Sequence, residues 1–109
     1  MERAYESMMI IRDDVTSEEK LEIHQKIVKK IESLSGKVVN AIVWAEERTF
    51  TFAIRGSGAG RKRYSKGSYW LVNYILDTTK LPELKETVRL EERILRAAYY
   101  LPNKSFKVN

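Results

Sequence analysis

The spacing of apolar residues predicts four β-strands and two helices along the chain. Alternating or two-sided apolar patterns mark strands at 3–11, 37–54, 68–76 and 93–101, and a helical period marks 16–35 and 81–90. The order is β-α-β-β-α-β. Two crossovers within one antiparallel sheet predict an α+β fold of the ferredoxin-like split β-α-β type, with four strands and both helices on one face.

The first helix carries the clearest boundary signals. Thr16 is a suitable cap and Glu19 completes a capping box, while Gly36 suits the left-handed position after the helix. The predicted buried face consists of Leu21, Ile23, Ile27, Val28, Ile31 and Leu34. His24 lies within this stripe, and since no second histidine or cysteine accompanies it, we interpret it as a partly buried packing residue.

The strands differ in how many of their faces are apolar. The first and third strands are apolar on both faces, so both are predicted to be central. Segment 37–54 is predicted to be one long strand with a bend or bulge near 45–48, and to lie at the edge of the sheet. An exposed edge can pair with another chain. The predicted protein-partner edge therefore comprises Trp44, Glu46, Glu47, Phe50 and Phe52.

Length and composition limit the possible classes of protein. The 109 residues predict one domain at 1–102, followed by a short polar tail at 103–109. The absence of cysteine and the single histidine exclude disulfide, thiolate-metal and histidine-zinc sites. No apolar run is long enough to span a bilayer, and the start of the chain lacks the pattern of a signal peptide. The net charge of +5 favours a polyanionic partner such as nucleic acid.

The basic residues concentrate around a glycine-rich connection between the second and third strands. The segment 48–76 contains six cations and no acid, and a loop that only aids solubility usually mixes both signs. We therefore predict a hairpin that contacts phosphates, with an aromatic residue available for stacking. The predicted nucleic-acid residues are Arg48, Arg55, Arg61, Lys62, Arg63, Tyr64 and Lys66, with Arg3, Arg89 and Lys104 as weaker candidates.

No catalytic set emerges from the sequence. The glycines at 56–60 lead into basic residues and not into a helix, so they do not form a phosphate-binding loop of the nucleotide-binding type. The acidic pairs at 18–19, 46–47 and 91–92 are interpreted as helix-start or solvated surface charges. We predict a protein that is not an enzyme, without a metal, a cofactor or a small-molecule substrate.

Three segments, in order, resemble the family of small ribosomal subunit protein six. They are RAYESMMIIRDDVTSEE at 3–19, KGSYWLVNY at 66–74, and LKETVRLEERILR at 84–96, the last covering a helix, a turn and a strand. The chain departs from the family pattern at 46–47, which is acidic where bases are usual. Its loop between strands two and three is also longer than in typical bacterial members.

The resemblance implies a structural ribosomal protein without catalysis. It implies binding to the central domain of small-subunit ribosomal RNA, together with small ribosomal subunit protein eighteen, and a location on the cytoplasmic ribosome or in an organelle matrix. Two alternatives remain. A free-standing single-stranded RNA binder would use Tyr69 or Trp70 on its sheet face. A ferredoxin-like module for protein association would bind no RNA.

Overall fold

Four strands and two helices alternate along the chain in the predicted order. The computed structural model describes residues 1–55 and 63–101, except for the side chains of 42–48, 51–53 and 55. Its elements are β1 (Glu2–Arg12), α1 (Ser17–Ser33), β2 (Lys37–Arg55), β3 (Arg63–Asp77), a 3₁₀ turn (Thr78–Lys80), α2 (Leu81–Arg89) and β4 (Ile94–Tyr100). The strands form one antiparallel sheet in the order β2-β3-β1-β4. The predicted ferredoxin-like α+β fold is therefore confirmed.

The two central strands are β1 and β3, as the two-sided apolar patterns predicted. They pair without a break from Glu2 opposite Asp77 to Arg12 opposite Gly67. Alternate residues of both strands pack with the buried residues of α1 and α2 in one cluster, so both helices cover the same face of the sheet. Within this core, Ser7 and Tyr74 share a hydrogen bond of 2.7 Å between their hydroxyl oxygens.

The capping box at the start of α1 is present. The Glu19 amide donates to Thr16 Oγ1 at 3.1 Å, and the Thr16 amide donates to Glu19 Oε1 at 3.0 Å. The hydrogen bond from the Thr16 backbone, followed by one from the Thr16 side chain, lowers the pKa of the Glu19 carboxyl. The predicted face is buried at Ile23, Ile27 and Ile31, but Leu21 is 56% exposed.

The end of α1 differs from the prediction in one detail. Ser35, and not Gly36, adopts the left-handed conformation, with a φ of 64°. Gly36 is required for a different reason. A Cβ atom there would lie 2.8 Å from the carbonyl oxygen of Ile75 and from Cγ2 of Ile31, which is too close for any other residue.

β2 is an edge strand and is more irregular than predicted. Its register against β3 shifts near the expected bulge at 45–48, but also between Val38 and Asn40 and between Thr49 and Ile54. Each shift places additional β2 residues opposite fewer residues of β3, which increases the local bend and twist. The simple alternation predicted for 49–54 is therefore wrong as a description of the pairing.

Candidate nucleic-acid interface

One end of the sheet carries the predicted basic hairpin. β2 ends at Arg55 and β3 begins at Arg63, and these two residues pair with each other. Arg48 pairs through its backbone with Gly67, at the same end. Arg61 and Lys62 lie outside the described residues. The fold thus brings the backbones of the predicted cations on both strands to one end of the molecule.

Two described cations of β3 extend into solvent. Arg63 and Lys66 are both exposed, and among the residues that the structure describes neither takes part in an ion pair. Their charges are not neutralised by a described carboxylate. Exposed cations of this kind attract phosphate groups and release the counterions that surround a nucleic acid.

Arg12, at the end of β1, adds a cation to the same end of the sheet. Its guanidinium carbon lies 5.5 Å from the ring centroid of Tyr64, and its Nε donates to Asp14 Oδ1 at 3.0 Å. Tyr64 is only 8% exposed. Its largely buried ring supports Arg12, and the stacking role predicted for Tyr64 stays a prediction.

The two described weaker candidates, Arg3 and Arg89, lie away from this end of the sheet. Arg3 pairs with Leu76, nine residues along β1 from Arg12, which corresponds to about 30 Å of strand. Arg89 lies on α2, where its Nε and Nη2 donate to the two carboxylate oxygens of Glu86 at 2.9 and 2.6 Å. Lys104 lies outside the described residues.

The predicted partner edge lies on β2, which is an edge of the sheet. The side chains of Trp44, Glu46, Glu47 and Phe52 are outside the described set. Phe50 is half-buried, and its ring meets that of Tyr69 edge to face at 6.3 Å. Cζ of Phe50 would lie 2.8 Å from a Cβ at position 67, so the glycine there permits the close approach.

Tyr69 and Trp70 are the two aromatic residues of the alternative hypothesis of a single-stranded RNA binder. Strand alternation places them on opposite faces of β3. Trp70 is 5% exposed and belongs to the core beneath the helices, with its ring centroid 4.9 Å from that of His24. The contact confirms His24 as a packing residue. Tyr69 lies on the opposite face of the sheet, next to Phe50. A base-stacking platform that includes Trp70 on the open sheet face is therefore not present.

A charged cluster that sequence reasoning missed joins α1 to the turn before β4. Glu91 is 6% exposed, and its carboxylate accepts from Arg93 Nε at 2.8 Å, Arg93 Nη2 at 2.9 Å and Lys26 Nζ at 3.1 Å. Arg93 Nη1 also donates to Glu22 Oε1 at 3.2 Å. The prediction of a solvated acidic pair at 91–92 is wrong for Glu91. We call these four residues the Glu91 cluster.

Hydrogen bonding within the Glu91 cluster shifts the pKa values of Glu91 and Arg93. The bonds from the Arg93 side chain, ahead of the other contacts, lower the pKa of the Glu91 carboxyl to about 2. The same bonds raise the pKa of Arg93. Both groups are held in their charged forms, so the Glu91 cluster is a structural ion pair and not a general acid or base.

The described residues contain neither a cluster of metal ligands nor a helix that could span a membrane. No three histidine, aspartate or glutamate side chains come together in the described part as metal ligands would. None of the described helices combines the length and apolarity needed to cross a bilayer.

Comparison with known proteins shows that the chain is similar to ribosomal proteins along most of its length. A family model described as ribosomal protein S6 matches residues 4–100. Small ribosomal subunit protein bS6 of Dictyoglomus turgidum is 30% identical over 94 residues, which are 86% of this chain and 89% of that protein. The bS6 protein of Thermotoga petrophila is 30% identical over 95 residues, covering 87% and 69% respectively. These matches span the whole described fold.

The fold comparison agrees with the sequence comparison. The crystal structure of 30S ribosomal protein S6 from Thermotoga maritima has a TM-score of 0.80 to this chain at 28% identity. The match covers 94% of this chain and 89% of that one. Sequence and fold similarity therefore extend over the same elements, from β1 to β4.

Proposed function

The chain belongs to the ribosomal protein S6 family of the small ribosomal subunit, and we propose that it binds the central domain of small-subunit rRNA together with small-subunit protein eighteen. The family is structural and not enzymatic. In a bacterium, the protein would act on the cytoplasmic ribosome.

The proposal rests on one observation above all. Arg63 and Lys66 are exposed at the end of the β2–β3 hairpin, and no described carboxylate pairs with them. Exposed cations that are not neutralised by the protein itself are suited to phosphate groups, whose contacts supply most of the sequence-independent affinity for RNA. Arg48, Arg55, Arg61 and Lys62 would extend the same contact surface.

The edge of β2 supports the proposal for a protein partner. No second described strand pairs with the outer side of β2 along 37–55, and an exposed edge provides unpaired backbone groups to which another chain can bind. Glu46 and Glu47 add negative charge to this edge, which favours a basic partner. We propose that protein eighteen contacts Trp44, Glu46, Glu47, Phe50 and Phe52.

Co-sedimentation with small ribosomal subunits tests the function as a whole. The protein should remain with the subunits at a salt concentration that removes non-specifically bound basic proteins, because the partner contact on β2 is not purely electrostatic. Substituting Glu46 and Glu47 by lysine should weaken capture by purified protein eighteen without changing the fold. A protein that never enters the subunit fraction would refute the proposal.

The single-stranded RNA alternative has less support. Of its two aromatic residues, Trp70 packs beneath the helices, which leaves Tyr69 as the aromatic residue on the open face of β3. If that hypothesis were right, Tyr69→Ala would lower RNA affinity by about 1–3 kcal/mol, the usual value of a stacked base, and the hairpin substitutions would have little effect. The association-module alternative predicts no salt-dependent RNA binding.

A further inference from the structure

A groove of about 330 Å³ opens between the first turns of α1 and the beginning of β3. This volume lies at the lower end of the range for small-molecule sites, about 300–1,000 Å³. Its apolar wall includes Ile11, Trp70 and Leu21, and the last of these is 56% exposed at the rim. The groove is on the helical face of the sheet, so it is distinct from the open face considered above.

His24 gives the groove an aromatic surface. Its imidazole lines the groove and is partly exposed, and its ring centroid lies 4.9 Å from that of Trp70, with the planes inclined at 53°. The ring is therefore held in place from within by a buried indole. A held aromatic ring with an accessible side is a surface on which a flat heterocycle can pack with little loss of side-chain entropy.

Ser68 supplies an unsatisfied polar group at the same place. It lines the groove and is only 3% exposed, and among the described residues its Oγ has no hydrogen-bond partner. A buried hydroxyl without a partner is unfavourable, and native proteins nearly always satisfy one. Because a serine hydroxyl can rotate between three staggered positions, a polar group entering the groove could become that partner.

The groove is continuous with the basic end of the sheet. Lys66 precedes Ser68 by two residues on β3, so the two side chains lie on the same face, about 7 Å apart along the strand. Lys66 is exposed. A polyanion bound by Lys66 would therefore pass beside the opening. The groove itself is lined by aromatic and apolar groups, a few hydroxyls and Lys20.

We propose that this groove receives one unstacked nucleobase of the RNA whose backbone contacts the basic hairpin. The base packs against His24 and Leu21, and a polar group on its edge pairs with the hydroxyl of Ser68. Single-stranded and looped RNA is recognised in this way, by stacking on aromatic rings and hydrogen bonds to base edges. The inference rests on the proposed function and adds to it a contact that carries base identity.

The test combines groove variants with an RNA scan. The full-length protein is titrated with a central-domain rRNA fragment in the presence of protein eighteen, and each unpaired nucleotide of the fragment is made abasic in turn. At one position, loss of the base should weaken wild-type binding by about tenfold, as expected for a stacked base. That same position should have no effect in His24→Ala or Ser68→Ala.

Two features make the result decisive. Ser68→Ala removes a hydroxyl that has no described partner, so it should fold normally even if His24→Ala, which exposes Trp70, does not. Ser65→Ala is the matched control, because Ser65 is an exposed serine of β3 on the opposite face by strand alternation. It should bind like wild type.

The outcomes separate this inference from the proposed function. If no abasic position couples to Ser68 or His24, while neutralising the hairpin still reduces the salt dependence, the groove proposal is overturned and the proposed function stands. If the protein binds no RNA under any of these conditions, both are overturned. Base contacts release no counterions, so the groove variants should leave the salt dependence itself unchanged.

Discussion

Arg93 directly precedes the edge strand β4 and Arg63 begins the central strand β3, yet the surroundings of these two arginines are opposite. Arg93 contacts both carboxylate oxygens of Glu91, one of which lies 2.8 Å from its Nε, and it also reaches Glu22. Arg63 is exposed and has no described carboxylate partner. The comparison shows that a basic residue stabilises the fold or remains available for a ligand depending on whether the fold supplies an acid.

The Glu91 cluster should give the largest effect on stability. Glu91→Gln removes the acceptor charge and leaves Arg93 and Lys26 without their shared carboxylate. Removing one member of a buried ion pair costs about 3–5 kcal/mol, and because Lys26 is half-exposed and can turn to water, we expect a loss of about 2 kcal/mol in unfolding free energy. Urea denaturation measures it.

A neighbouring residue provides the control for this prediction. Glu92 is exposed and differs from Glu91 in burial while sharing its charge and position in the turn. Glu92→Gln should leave the denaturation midpoint close to that of wild type. Equal losses for the two variants would show that the cluster contributes nothing beyond its net charge.

The same cluster should make stability depend on pH. The folded-state pKa of Glu91 is about 2, below its ordinary value of 4.5, so the unfolded chain takes up this proton first as pH falls. The stabilisation is fully present above about pH 5 and is lost as pH falls towards 2. Between pH 5 and 2.5, wild type should lose about 2 kcal/mol more than Glu91→Gln, allowing for solvent screening. Parallel curves would contradict this.

In the basic hairpin, Lys66→Gln should change binding and not stability. The ammonium group has no described ion-pair partner, so the unfolding free energy should stay within about 0.5 kcal/mol of wild type, as for most surface substitutions. One lost phosphate contact should reduce the slope of log affinity against log salt by about 0.7–0.9. If Lys66→Gln unfolds more easily but keeps the wild-type slope, then Lys66 stabilises the fold and does not contact a phosphate.

Arg89→Gln should have the smallest effect. Arg89 is exposed on α2 and pairs with Glu86, which lowers the pKa of that carboxyl mainly through the hydrogen bond from Arg89. It lies on a different element from the basic hairpin and outside the Glu91 cluster. RNA affinity should remain within about twofold of wild type, since no phosphate contact is lost. A tenfold loss would extend the RNA interface to α2.

Local signals in the sequence were sufficient for the architecture. Thr16 and Glu19 marked the start of α1 because a capping box depends only on residues three positions apart. The two-sided apolar patterns identified β1 and β3 as central because both faces of a central strand can be covered. Gly36 was placed in the wrong backbone conformation, since its requirement comes from Ile75 in a distant strand.

Features that depend on distant partners were not predictable. Alternation along β3 could not show which of Tyr69 and Trp70 faces the helices, because both faces carry apolar residues. The contact between Glu22 and Arg93 joins residues 71 positions apart, so the acidic pair at 91–92 looked like an ordinary surface. The groove beside His24 has the same origin, since it forms only where α1 crosses the start of β3.

The central claim is that the hairpin cations serve RNA binding while the Glu91 cluster serves stability. It is tested most directly by the salt dependence of binding to a central-domain rRNA fragment, with protein eighteen present, for wild type, an Arg61→Gln/Lys62→Gln/Arg63→Gln variant and Glu91→Gln. The account predicts that the triple substitution reduces the slope by about two to three, or roughly 0.7–0.9 per lost contact, while Glu91→Gln keeps the wild-type slope. An unchanged slope in the triple variant would contradict it.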